Sequence, residues 1–246
     1  MIFDDLTDVY EAMIDWPKRL AVEGPFYRRL VERAGAKTAI DVACGTGRHA
    51  AMLHELSLRV EGADLSPRMI QRAQQTFGHS DTLRWVVRSF DQPVGQPGAF
   101  DLALCVGNSL ALAGDLEIVG RAIREMLLAV RQGGSIVVQV LNLWRLPDGP
   151  CVWQKCRRAS LAERDVLITK GVHRCGDWGY VDLVVTALDA DPQMRCESVP
   201  FLGLEAEQLE PMARQAGAAQ VCFSGGYQEQ PYDRLASTDL VMVASK

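Results

Sequence analysis

Apolar residues change their spacing several times along the chain, and the changes divide it into segments. Residues 4–15 and 18–34 carry apolar positions at helical spacing. Trp16-Pro17 separates them, because the residue before a proline is pushed out of the helical region. Gly35 gives the second helix a stop. From there short apolar runs alternate with helical ones. Strands are expected at 38–42, 59–64, 83–88, 101–106 and 135–141, the last after a Gly133-Gly134 turn. Helices are expected at 48–56, 67–77 and 116–130, with Ser66 as N-cap and Pro67 at the first helical position. Strands separated by helices of this length form parallel βαβ units with right-handed crossovers. Their ligand crevice lies at the strands' carboxyl ends.

The pattern changes near Asn142. Residues 143–200 hold alternating runs at 166–172 and 180–188, joined through Cys175-Gly176-Asp177, which fit antiparallel hairpins. A helix returns at 205–216, and strands at 220–224 and 240–244 read as an antiparallel pair at the sheet edge. The expected fold is α/β: a doubly wound, mostly parallel seven-stranded sheet with an inserted small antiparallel segment. Four regions follow: a helical lid (1–35), a cofactor-binding core (36–142), an inserted acceptor-side segment (143–200), and a last helix and edge strands completing the sheet (201–246).

Composition adds mostly exclusions. A net charge of −5 argues against bulk attraction to nucleic acid or an anionic membrane. The acidic start lacks the features of a secretory signal, and no run approaches the roughly 20 apolar residues of a membrane span. The 7 cysteines form no CxxC pair, and Cys151 and Cys156 lack histidines at zinc spacing. They are expected to be reduced, mostly core thiols in a cytoplasmic protein, and no metal site is expected.

Asp41-Val42-Ala43-Cys44-Gly45-Thr46-Gly47 carries the chemistry. Gly45 and Gly47 let the backbone turn and approach a ligand, and the next helix offers free N–H groups. Gly45-Thr46-Gly47-Arg48-His49-Ala50 also fits the dinucleotide pattern GxGxxG/A, with Asp64 about twenty residues on. Asp41 separates the two possibilities. A carboxylate there repels a diphosphate and suits a ligand that is cationic at that end, such as S-adenosylmethionine (SAM) with its ammonium and sulfonium. Asp64 then accepts from the ribose hydroxyls, Leu65 and Met69 wall the adenine, and Ser89 and Phe90 bond and stack on it. Val106-Gly107-Asn108 brings Asn108 beside the sulfonium, where its amide can orient a methyl acceptor.

Together DxACGTG, GADLSPRMI, FDLALCVGNSL and a GG before a strand resemble the class I SAM-dependent methyltransferases, and ACGTG with C-x-GNS resembles the glycine/sarcosine N-methyltransferase group. The resemblance covers residues 8–142. It implies SAM bound at Asp41, Ala43, Gly45, Thr46, Gly47 and Val106, with Tyr10 and Arg19 of an N-terminal segment on the methionine moiety and Asn108 at the substrate. Ser89 stands where that group carries Asp, Leu112 where it carries His, and Asn142-Leu143-Trp144 where it carries Asn-Tyr-Asp.

Few side chains offer a base. His49 falls on the helix after the glycine turn, whereas His173 falls in the hairpins expected to cover the acceptor and is the candidate base. Trp144 and Arg145, with Asn142, are candidate acceptor contacts, by aromatic caging and carboxylate clamping. The expected function is methyl transfer to a small-molecule acceptor, to nitrogen in preference to oxygen, with homo-oligomerisation left open. Two alternatives stand beside it: a macromolecular acceptor, which a Lys155/Arg157/Arg158 stripe would favour, and a SAM-binding protein without catalysis.

Overall fold

In the computed structural model, residues 2–189 and 193–246 are described. The first break falls one residue before Trp16. The Asp15 carboxylate accepts the Lys18 backbone N–H at 3.2 Å, so Trp16 and Pro17 occupy the first turn of α2 (Trp16–Ala34), after α1 (Ile2–Met13). Gly35 ends α2 at φ 55°, donating its N–H to Glu32 and Val31 carbonyls.

The alternation then runs as the apolar spacing predicts. It comprises β1 (Thr38–Asp41), α3 (Arg48–Glu55), β2 (Arg59–Asp64), α4 (Pro67–Phe77), β3 (Leu83–Val87), β4 (Phe100–Cys105), α5 (Leu116–Ala129) and β5 (Val130–Leu141). Strand β5 starts five residues earlier than the Gly133-Gly134 turn suggested. Its pairing with β4 jumps from Phe100↔Val130 to Leu102↔Ser135, so the glycines form an irregularity inside the strand, with Gly133 at φ 76°. After the insert come α6 (Ala206–Gln215), β10 (Gln220–Ser224) and β11 (Asp239–Ser245).

One seven-stranded sheet results, in the order β10-β11-β5-β4-β1-β2-β3, in which β11 alone runs against the other six strands. Every residue of β4 is buried, as a central parallel strand covered on both faces requires. One face packs on α5 and α6 through Ile123, Met126, Leu127 and Leu209; the other buries Phe26, Tyr27, Leu53 and Trp85 under α2, α3 and α4. The strand order reverses between β1 and β4, and at such a switch point the loops diverge and leave a crevice.

The insert is a second sheet of four antiparallel strands: β6 (Val152–Leu161), β7 (Arg164–Cys175), β8 (Trp178–Ala187) and β9 (Met194–Leu202). Strand β7 contains the first expected run and β8 all but the last residue of the second; they turn at Gly176-Asp177, with Gly176 at φ 60°. Strands β6 and β9 are the edges. They are mostly exposed, so no apolar alternation announces them. Side chains alternate across this sheet. Val166, Ile168 and Leu183 point inward onto Val9 and Met13 of α1, and Val172 and Phe201 join the main core. The same alternation sends His173, Tyr180 and Asp182 to the outer face.

Of the seven cysteines only Cys44 and Cys105 are buried, against the expectation of mostly core thiols. Cys156, Cys175, Cys196 and Cys222 are exposed because β6, β9 and β10 are edge strands and Cys175 flanks the hairpin turn. Among the described residues no helix is long and apolar enough to cross a membrane.

Candidate cofactor and acceptor site

The glycine turn leaves β1 at the switch point and stays tied to both neighbouring strands. Val42 N–H donates to the Leu104 carbonyl and Cys44 N–H to that of Ala63, each at 2.8 Å. Gly45 (φ 53°) and Gly47 (φ 86°) take left-handed conformations that a Cβ penalises. Asp64, at the end of β2, accepts the Gly45 N–H at 2.8 Å and the Ser66 N–H at 2.9 Å. Its carboxylate thereby fixes the turn.

Asp41 is fully buried. One oxygen receives only a long 3.4 Å contact from the Ala43 N–H, and Oδ2 has no hydrogen-bond partner. Burial pushes its pKa up from 3.8 to about 7; the nearby Asp64 adds to the rise and Arg19 opposes it. A buried carboxylate oxygen without a donor is a costly feature that a cationic ligand group resolves.

Helix α1 roofs the turn. Glu11 accepts the Thr46 hydroxyl at 2.7 Å and the Arg48 Nε–H at 2.9 Å, and Asp8 pairs with Arg68 and Arg72 of α4. Tyr10 then lies over Gly45, where a Cβ would sit 3.9 Å from its ring. Burial first, then the charges of Asp64, Glu11 and Asp41, raise its hydroxyl to about 12 against the opposing Arg19. From α2, Arg19 is held by Glu23 at 2.8 Å and reaches Gly107, whose Cβ would lie 3.7 Å from Nη2. Glu23 also meets buried His49 at 2.6 Å, so His49 supports Arg19 from beneath and does not face the crevice.

The acceptor side begins where β4 ends. Gly107 (φ 78°) and Asn108 (φ 69°) form a left-handed pair. Gly107 N–H donates to Gln139 Oε1 at 2.7 Å, and Gln139 Nε2 donates to Asp239 at 2.7 Å. Burial raises the Asp239 pKa, with the Thr238 and Gln139 hydrogen bonds opposing. Lys170 is electrostatically coupled to Asp239. It occupies an inward position of β7 in the row Val166, Ile168, Lys170, Val172. Burial, then the charges of Lys155 and Arg19, lower its pKa to about 8, and Asp239 resists. Arg19 and Asp239 thus both act on the charge of Lys170, and Arg19 on that of Asp239. Neither Lys170, Gln139 nor Asp239 is picked out by the sequence motifs. A lysine in an otherwise apolar inward row is the signal that would have found the first.

Residues 39–134 match the family described as a methyltransferase domain. Over this segment the chain is similar to methyltransferase domains. It is 32% identical over 148 residues to the glycine/sarcosine N-methyltransferase of Parasynechococcus marenigrum (strain WH8102), covering 59% of this chain and 52% of that protein. It is also 32% identical over 147 residues to the glycine N-methyltransferase of Oryctolagus cuniculus, covering 51% and 50%. The chain therefore spans about half the length of the curated relatives it matches. Among solved structures, the sugar N-methyltransferase KedS8 from Streptoalloteichus sp ATCC 53650 superposes with a TM-score of 0.73 at 25% identity, over 92% of this chain and 88% of that one. SAM-bound CalS10, an amino pentose methyltransferase from Micromonospora echinaspora, gives a TM-score of 0.75 at 20% identity over 97% of each chain, which speaks to the fold.

In and around the matched segment the residues singled out by sequence fall into three groups. Tyr10, Arg19, Asp41, Ala43, Gly45, Gly47, Asp64 and Val106 gather around the glycine turn, although the Thr46 hydroxyl is already bonded to Glu11. Leu65 is 53% exposed beside the turn, an apolar surface suited to a purine, whereas Met69 is buried. Ser89 donates to Asp91, which Arg121 also pairs, and Phe90 packs partly against the main core. Asn108 uses its Oδ1 to accept the Leu141 N–H at 2.9 Å, clamping the ends of β4 and β5. The structure places the four other acceptor-side candidates as follows. Asn142 is buried and its whole amide is used: Oδ1 accepts from Trp144 N–H and Tyr232 OH, and Nδ2 donates to the Arg234 and Ser237 carbonyls. Trp144 is sandwiched between Arg174 (4.8 Å) and Arg234 (4.4 Å), closing its faces to a ligand, and Arg145 is exposed. His173 lies on the outer face of the antiparallel sheet, directed away from α1 and the glycine turn.

Proposed function

We propose that this chain transfers the methyl group of SAM to an amine nitrogen of a small molecule. The observation that carries the reading is the donorless Asp41 Oδ2 beneath the glycine turn, a counterpart for the ammonium of the methionine tail. Tyr10 and Arg19 close over that tail, and Arg19 is placed to meet its carboxylate. Asp64 ends β2 beside the glycine turn, where a ribose would lie, and Leu65 offers an adenine wall.

Bound SAM supplies a methyl group activated by the sulfonium. The chain's residues align the acceptor and remove its proton. An amine arrives from water mostly as ammonium and reacts only through its lone pair. Lys170, lowered to about 8, accepts that proton near physiological pH, while Asp239 and Asn108 orient the nitrogen. Relatives named as N-methyltransferases support transfer to nitrogen. A nucleic-acid acceptor finds less support. Alternation along β6 parts Lys155 and Arg157 from Arg158, which pairs with Asp165 at 2.5 Å, so the three do not form one stripe. Exposed free thiols fit a reducing, cytoplasmic setting.

Labelled SAM incubated with a panel of primary and secondary amines, including glycine, sarcosine and amino sugars, tests the reading. Label is expected on nitrogen, with kcat/KM rising through a pH of about 8. Lys170→Met is expected to lower turnover by about 10²–10⁴-fold and to leave SAM affinity in place. Label on oxygen, label on added RNA, or no product from any amine overturns it.

A further inference from the structure

Cys151, His173 and Asp182 come from three successive segments of the insert, and the antiparallel sheet brings them together. Cys151 immediately precedes β6, His173 lies on β7 and Asp182 on β8. Their Sγ, ring nitrogen and carboxylate oxygen all lie within 4.8 Å of one another, half-buried on the outer face. We propose that these three side chains form a zinc(II) site, an assignment independent of the methyl-transfer reading.

Three features make the cluster a prepared site. Gly171 stands beside Asp182 in the sheet register, and a Cβ there would lie 2.4 Å from Cys151 Sγ, so only glycine lets the thiol settle over β7. His173 is stacked on Tyr180 with centroids 4.8 Å apart and planes 10° from parallel, which holds Nδ1 toward Asp182 at 2.6 Å. Ser198 on β9 donates to the other Asp182 oxygen at 2.8 Å, orienting the carboxylate from behind as outer partners of metal ligands do.

The donor set is chemically selective. Thiolate, imidazole and carboxylate together suit zinc, whereas magnesium and calcium want oxygen alone. Tetrahedral zinc bond lengths place neighbouring ligand atoms about 3.3–3.6 Å apart. Cys151 Sγ is already 3.5 Å from Asp182 Oδ2. The histidine–carboxylate pair needs to open by about 0.7 Å, which one side-chain rotation supplies. Binding releases the thiol proton to solvent and replaces the short His173–Asp182 hydrogen bond, the neutral imidazole carrying its proton on Nε2 through exchange with solvent; water from the open outer face takes the fourth position. The ion would join β6, an otherwise exposed edge, to β7 and β8, and so stiffen the strand that carries Lys170.

Tag-free protein, stripped with chelator, is titrated with Zn²⁺ by calorimetry and with Co²⁺ by visible absorption. The expected result is one equivalent bound, tetrahedral cobalt bands with a thiolate charge-transfer band, and no competition from Mg²⁺. Cys151→Ser and His173→Gln are each expected to weaken binding tenfold or more, and Cys156→Ser to leave it unchanged. Should either ligand variant fail to fold, alkylation of the wild-type protein gives the same decision: Zn²⁺ protects Cys151 while Cys156 still reacts. No saturable binding at micromolar Zn²⁺, binding that survives both ligand substitutions, or equal alkylation with and without Zn²⁺ overturns the site and leaves the three residues as a hydrogen-bonded cluster around Asp182.

Discussion

Asp41→Asn is expected to weaken SAM binding by about a hundredfold or more in calorimetric titration at pH 8. Removing one partner of a buried ion pair costs about 3–5 kcal/mol, and each 1.4 kcal/mol is a factor of ten in affinity. The amide keeps the shape of the side chain and its contact with Ala43, so the loss isolates the charge. Stability of the free protein should move the other way. The Asp41 pKa rises from 3.8 to about 7 on folding because the carboxylate is buried. Below pH 3.8 the group is neutral in both states. As pH rises toward 7 the unfolded chain ionises first, which favours unfolding by on the order of 4 kcal/mol once both states are charged. Asn carries no such penalty, so the variant without ligand should melt no lower than wild type at pH 8. Poor binding in a protein that is equally or more stable marks a residue kept for its ligand. Unchanged affinity would remove Asp41 from the cofactor site.

Gly47→Ala is expected to destabilise the fold by about 2–5 kcal/mol, lowering Tm by about 5–15 °C for a chain of this size. Two effects add. Its φ of 86° is strained for any L side chain, and a Cβ would meet Trp85 Cη2 at 2.6 Å and Ala73 Cβ at 2.9 Å. Trp85 cannot step aside easily, because its Nε1–H donates to the Gly78 carbonyl at 2.7 Å. Gly62 presses on the same indole from β2, where a Cβ would sit 2.5 Å from the ring. Its backbone is unstrained, so Gly62→Ala should be largely rescued by Trp85→Leu, whereas Gly47→Ala should be rescued only in part. Thermal melts of the two double variants separate crowding from strain. Equal rescue of both would mean that the left-handed turn contributes nothing.

These glycines show where sequence reading succeeds and where it stops. Gly45 and Gly47 were legible as a ligand turn because their spacing follows a strand and opens a helix. That Gly47 also makes room for Trp85 was not legible, since the indole comes from another strand. The parallel sheet could be read because buried strands carry continuous apolar runs; β6 and β9 could not, because an exposed antiparallel edge leaves no period to detect. On the cofactor side Asp41, Asp64, Tyr10 and Arg19 meet as their positions suggest. On the acceptor side the reading turned on which face of a strand a residue takes. His173 and Lys170 are three residues apart on β7, so period-two alternation sends them to opposite faces. Without the register, a histidine in the insert looked like a base and nothing marked the lysine. Asn142 failed for a different reason: its partners, Tyr232, Arg234 and Ser237, lie some ninety residues away.

Proton release on cofactor binding tests the electrostatic claim most directly. A carboxylate that titrates near 7 when free and is ionised against an ammonium when bound must lose its proton as SAM enters. Calorimetry at pH 6 in buffers of different ionisation enthalpy should report close to one proton released, and the dissociation constant should rise by about 50-fold from pH 7 to pH 5. Asp41→Asn should show neither effect. Proton-neutral binding by the wild-type protein, or the same pH slope in the variant, would contradict the assignment of Asp41 as the counter-charge to the methionine tail.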